Sequence, residues 1–173
     1  MPNKIFIYLV LLFSAVSCIS EKEDSTSVKY LRWVDDIPFD ATLDDKDFII
    51  CRGEERAMQY FNNSKGLEYE GEKTAIIKAF EESYDFSTVV KENGLIRIRF
   101  LVNCEGKTGR FRLISMDERY NEKQFDKSIT NQLLKITKRL KGWKPKVFEN
   151  ETSDYYQYLI FKINQGKIIE ILP

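Results

Sequence analysis

The chain has 173 residues, 43% of them hydrophobic and 13% aromatic, with 27 basic residues against 27 acidic ones and no histidine. That apolar content suffices for one compact domain and excludes disorder along the whole length, while the zero net charge excludes bulk polyelectrolyte attraction to nucleic acid. Without histidine there is no commonest zinc ligand, no usual proton shuttle near neutral pH, and no base for a Ser-His or Cys-His pair.

Lys4 is followed by an apolar stretch over residues 5–16, well short of the roughly 20 residues of a spanning helix. It reads as the core of a signal peptide, so residues 1–17 are expected to be a leader. Ala15-Val16-Ser17-Cys18 resembles the lipobox of bacterial lipoproteins, with Ala15 where that family usually has leucine. The resemblance implies that Cys18 is lipidated and holds the protein at the outer membrane of a Gram-negative cell envelope, where several acyl chains anchor firmly. Glu21-Lys22-Glu23-Asp24 directly behind it looks like the surface-export tag of lipoproteins from Bacteroidetes-type bacteria. Residues 19–50 carry nine acidic residues against four basic ones, and residues 18–46 read as an acidic tether, with 30–34 and 47–50 apolar enough to pack on the domain. Two cysteines remain, Cys51 and Cys104, in an oxidising compartment; they are either bridged or two buried thiols that never meet.

Residues 47–90 read as a helical N-terminal region. Helical spacing predicts two helices there, over residues 53–61 and 71–84, the second with Ile76, Ile77, Phe80 and Tyr84 on one face. Asn62-Asn63-Ser64-Lys65-Gly66 interrupts them, which predicts an α-hairpin. From Gly94 the period switches to two: Ile96, Ile98, Phe100 and Val102 alternate with Arg97, Arg99 and Leu101, turn residues fill 103–109, and Phe111, Leu113 and Ser115 alternate with Arg110, Arg112 and Ile114, a β-hairpin. Asn121 with Gln124 three residues on reads as a capping box for a helix carrying Phe125, Ile129, Leu133, Ile136 and Leu140 on one stripe and stopped by Gly142. Pro145 forbids its continuation. A strand over 155–163 then turns at Asn164-Gln165-Gly166 into 167–172.

Strand, glycine-containing turn, strand, helix, Trp143-Lys144-Pro145 and a final strand: over about 96–163 the chain resembles the C-terminal domain of TonB-type energy transducers. The most specific matching element is the Trp-Lys-Pro after the helix. The resemblance implies an α+β fold, a β-β-α-β sheet with one packed helix over residues 91–173, whose last strand lies at an edge and pairs with a short extended peptide of an outer-membrane receptor. An edge strand can accept another strand through its unpaired main chain, with Tyr155, Tyr156, Tyr158 and Phe161 expected to supply side-chain area around the visitor. Two departures bear on function. A working transducer has a permanent inner-membrane helix and a proline-rich rod, whereas the apolar segment here is short and the prolines are Pro2, Pro38, Pro145 and Pro173.

Other constellations offer less. Residues 119–146 carry nine cations and two anions, suited to anionic headgroups, to the acidic N-terminal segment, or to a solvated outer face. Asp44-Asp45-Lys46-Asp47 lacks the spacing of a calcium loop, Glu81 and Glu82 point apart on a helix, Cys104 has no histidine to activate it, and no phosphate-binding loop is present. The expectation is therefore a non-catalytic envelope lipoprotein, without cofactor or metal, that binds an envelope protein or receptor peptide by strand addition. The alternatives are a purely structural or assembly lipoprotein whose sheet edge is covered by residues 167–172, and a divergent component of TonB-dependent transport.

Overall fold

The computed structural model describes residues 36–62 and 66–172; they belong to one compact unit, Leu31–Pro173. The leader and Cys18 lie outside the described residues. The fold is mixed α+β. Strands β1 (Met58–Gln59), β2 (Gly94–Val102), β3 (Thr108–Met116), β6 (Tyr155–Asn164) and β7 (Lys167–Leu172) form one sheet, and β4 (Lys146–Phe148) with β5 (Glu151–Ser153) a separate small hairpin. Among the described residues there are two α-helices, α1 (Glu72–Ser83) and α2 (Lys127–Arg139).

The sheet runs β1-β6-β2-β3, with β7 on the same side of β6 as β1. All its pairings are antiparallel except β1 with β6. Because alternate residues of a strand face opposite sides, the register Ile96↔Phe161, Ile98↔Leu159 and Val102↔Tyr155 stacks one apolar face. Ile76 and Phe80 of α1 and Ile129, Leu133 and Ile136 of α2 cover it. The apolar spacing of both helices is thus satisfied by one surface. Trp143, 5% exposed, closes that core edge-on to Tyr69 at 4.8 Å and to Phe100 at 5.2 Å.

The other face of β2 carries Arg97, Arg99 and Leu101, all buried. An alternation of apolar with arginine suggests a half-solvated strand; instead this face is roofed. Ile37, Leu101 and Tyr156 form a second small core with Phe48, Ile50 and Ala57. The roof is pinned by ion pairs: Arg110 donates to Glu54 at 2.8 Å and to the Ile37 carbonyl at 3.0 Å, and Arg112 donates to both oxygens of Asp44 at 2.7 and 2.6 Å. The part of the expected tether within view, residues 36–46, is therefore packed on the domain, with Ile37 only 2% exposed. One carboxylate of this acidic segment, Asp44, thereby pairs with an arginine of the sheet.

Three local expectations are corrected. The first helix of the α-hairpin does not form: Glu54–Arg56 is a single 3₁₀ turn, and Met58–Gln59 joins the sheet as β1. Nine residues are too few for a helix to persist on its own, and this segment gains more from pairing with Tyr155 and Tyr156 and from the Glu54–Arg110 bond. The capping box is not at Asn121, whose amide donates back to Asp117 at 2.9 Å; Asp126 caps α2 by accepting the Ser128 amide at 2.8 Å. The helix also stops at Arg139, before Gly142. That glycine lies under the Tyr69 ring, where a Cβ would come within 2.8 Å of it.

Asp44 couples the roof to acidity. Its side chain is 1% exposed, and the hydrogen bonds from Arg112 hold its carboxyl below the ordinary value of 3.8. A carboxylate with a depressed folded pKa contributes stability that is fully present above the unfolded value and lost as pH falls through the folded one. Unfolding free energy is thus expected to fall as the pH drops below about 4. Denaturant titrations of Arg112→Ala across that range should show a shallower fall than the wild type.

Candidate functional site

The side chains expected to form a binding edge are placed otherwise. β6 is not an edge strand: β2 pairs along one side, β1 pairs with Tyr155 and Tyr156 on the other, and β7 pairs with residues from Ile160 to Asn164. Between β1 and β7 the chain's own groups take over. Gln157, 1% exposed, donates its side-chain amide to the Tyr158 carbonyl at 2.8 Å.

Tyr155 is buried in the main core and donates its hydroxyl to the Lys144 carbonyl at 3.0 Å. Tyr156 belongs to the roofed core, and Phe161 meets Phe80 at 4.8 Å. Tyr158 donates to the Tyr60 hydroxyl at 2.9 Å beneath Arg97, whose guanidinium carbon lies 4.0 Å from the ring centre. Burial raises Tyr158 to about 12, and burial with Arg99 nearby pushes the Arg97 guanidinium down to about 10. Tyr155, Tyr156 and Phe161 are buried and Tyr158 is half-buried against Arg97 and Tyr60, and the prediction that the four surround a visiting strand is corrected on that ground. After Pro145 the chain runs through β4, β5 and β6 and then returns as β7 along β6, so on this side the margin is one strand further out.

Trp143, Lys144 and Pro145 also act structurally. The Trp143 indole is core, the Lys144 amide donates to the Glu68 carbonyl at 3.0 Å, and Gly106 lies so close that a Cβ there would be 2.4 Å from the Trp143 carbonyl. Cys51 and Cys104 are joined by a disulfide. Beside them, Asp154, 1% exposed, accepts the backbone amides of Cys51, Arg52 and Cys104 at 3.2, 2.9 and 3.0 Å.

The sheet has open margins at β3, which pairs with β2 alone, at β1, and on the outer side of β7; the last of these is flanked by an apolar groove. Gln165 (φ 51) and Gly166 (φ 76) make the left-handed two-residue turn that matches strand twist, and Tyr84 of the α1 cap pins it by donating to the Gly166 carbonyl at 2.7 Å. Burial raises the Tyr84 hydroxyl to about 12, so it stays a donor through the neutral range. Between α1 and β7 runs a groove of about 320 Å³ lined by Ile77, Phe80, Phe86, Ile168 and Ile169, with the carboxylates of Glu81 and Glu170 at its border. Phe86 is 53% and Ile169 52% exposed. The one cation in the lining, Lys167, lies over the Phe86 ring at 4.7 Å. The strand over 167–172 is expected from sequence, and the structural alternative expects it to cover the sheet edge, as it does along Ile160–Asn164; the signal for its own exposed groove is Ile168-Ile169-Glu170-Ile171, an apolar run too rich for a strand with one wet face.

A second cleft, about 670 Å³, has Asp45 and Asp47 together with Lys138 and Lys141 in its lining. The basic end of α2 thus shares a cleft with the acidic segment.

No protein-family profile, no curated protein and no solved structure matches this chain.

Proposed function

We propose that this protein is a non-catalytic binding module of the bacterial cell envelope, lipid-anchored through Cys18, with a TonB-like β-β-α-β core, that takes an extended segment of an envelope protein along the outer side of β7. The observation that carries the reading is the pairing of β7 with β6 alone among the described residues, beside an apolar groove. An unpaired strand margin offers main-chain donors and acceptors, and a flanking groove selects side chains at alternate positions. The visitor's chemistry is set by the lining: apolar residues two apart, which enter between Phe80, Phe86 and Ile169, and a cationic residue toward Glu81 and Glu170. The disulfide supports the export half of the reading, because such bonds persist in oxidising compartments.

A purely structural lipoprotein is the second reading. It is favoured by the register shift of β7 at Lys162/Ile163 and by Lys167 and Glu170 on so short a strand, devices that blunt an edge against pairing.

A peptide of alternating valine and lysine, titrated into isotope-labelled protein, separates the two. Amide shifts confined to β7 and the α1 groove, abolished by Ile169→Asp, are expected. Uniformly silent spectra would favour the structural reading.

A further inference from the structure

Two cysteines and a carboxylate meet at the end of the sheet where the roof joins the β2–β3 turn. The Sγ atoms of Cys51 and Cys104 and a carboxylate oxygen of Asp154 all lie within 4.8 Å of one another. In a tetrahedral zinc site, bonds of about 2.3 Å to sulfur and about 2.0 Å to oxygen set neighbouring ligand atoms about 3.5–3.8 Å apart. The cluster is therefore already at near-ligand spacing once the sulfurs are no longer bonded to each other.

What keeps it together does not depend on the disulfide. Asp154 holds the amides of Cys51, Arg52 and Cys104, and its own carbonyl accepts the Met58 amide at 2.9 Å. Asn103, next to Cys104, donates its side-chain amide to the Ile49 carbonyl at 3.1 Å and accepts the Glu105 and Lys107 amides. Both cysteines are thus fixed by hydrogen bonds between their two segments, with the Cα atoms 6.0 Å apart. Cys51 is exposed and Cys104 half-buried, so reductant and ion have access.

We propose that reduction turns this disulfide into a binding site for one thiophilic divalent cation of the zinc class, held by the Cys51 and Cys104 thiolates and the Asp154 carboxylate, with water in the fourth position. A dithiol reductant supplies two electrons and two protons, its own sulfurs ending as a disulfide and the S–S bond of the protein opening to two thiols. The cation then displaces those two protons to solvent. Two sulfurs and one oxygen favour zinc or cadmium over calcium or magnesium. The ion takes the place of the covalent link, so the roof stays fastened in both redox states.

The test uses the full chain carrying Cys18→Ser, which leaves only these two thiols, reduced by a phosphine that is then removed. Cadmium titration followed by thiolate-to-metal charge-transfer absorption is expected to saturate at one ion per chain, with no band in the oxidised protein. Cys51→Ser should abolish the band. Asp154→Asn, which keeps one oxygen for the amides, should weaken binding about tenfold or more while still forming the disulfide on oxidation. If that variant does not fold, zinc X-ray absorption of the parent chain decides: two sulfurs plus light-atom ligands are expected, and four sulfurs, meaning an ion shared between chains, would overturn the proposal. So would a reduced chain that gives no band, or a folded Asp154→Asn with unchanged affinity.

Discussion

The double variant Cys51→Ser/Cys104→Ser is expected to lose about 4 kcal/mol of unfolding free energy, the chain-entropy value for a link across 53 residues. The effect arises mainly in the unfolded state, because in the folded one Asp154 and Asn103 hold the two segments in place by hydrogen bonds. The native structure should therefore survive under mild conditions, with the sheet intact and the transition midpoint lowered. Denaturant unfolding should also show a steeper slope, since an uncrosslinked chain exposes more surface on unfolding. A loss well below 1 kcal/mol would mean that the link constrains an ensemble already compact at this end. For a domain of this size the expected loss is a large fraction of the total stability.

Trp143→Ala is expected to cost about 3–5 kcal/mol. The indole is wedged between Tyr69 and Phe100 with almost no exposed area, and the surroundings cannot collapse onto the gap. Gly106 already touches the Trp143 carbonyl, and the adjoining chain is paired, Tyr69 to Trp143 and Glu70 to Gly142. Trp143→Phe should cost less, about 1–2 kcal/mol, because the indole nitrogen makes no hydrogen bond in the structure and phenylalanine forfeits only volume. Thermal unfolding of the three proteins checks the order. Equal losses for Ala and Phe would show that a bond of the indole nitrogen, rather than cavity volume, sets the cost.

Much of the fold was legible where one physical cause dominates. The β2–β3 hairpin follows from period-two alternation around 103–107, α1 and α2 follow from apolar stripes, and the return of the last strands follows from Gln165-Gly166. Expectations failed where distant residues outweigh local preference. Residues 53–61 carry helix-compatible spacing, yet Glu54 is claimed by Arg110 and Met58 by β6, partners more than fifty residues away. Arginines alternating along β2 look solvent-facing until Arg97 and Arg99 are seen to lie over the Tyr158 and Tyr156 rings, while the carboxylates of Asp44 and Glu54 pair with Arg112 and Arg110 of β3. The resemblance places the binding edge at 155–163 because its sheet ends there. Here one more strand is added, and the open margin moves to β7 along with the groove beside Phe86, a juxtaposition of residues that no spacing rule connects.

The account stands on β7 rather than β6 as the meeting line with a partner. A photoreactive amino acid introduced at Ile169, and in a second protein at Tyr158, can be irradiated in the native envelope and the adducts sequenced. The account predicts an adduct from position 169 that maps to a short extended segment with alternating apolar residues, and none from position 158, which lies beneath Arg97 and beside Tyr60. Adducts from 158 with none from 169 would contradict it.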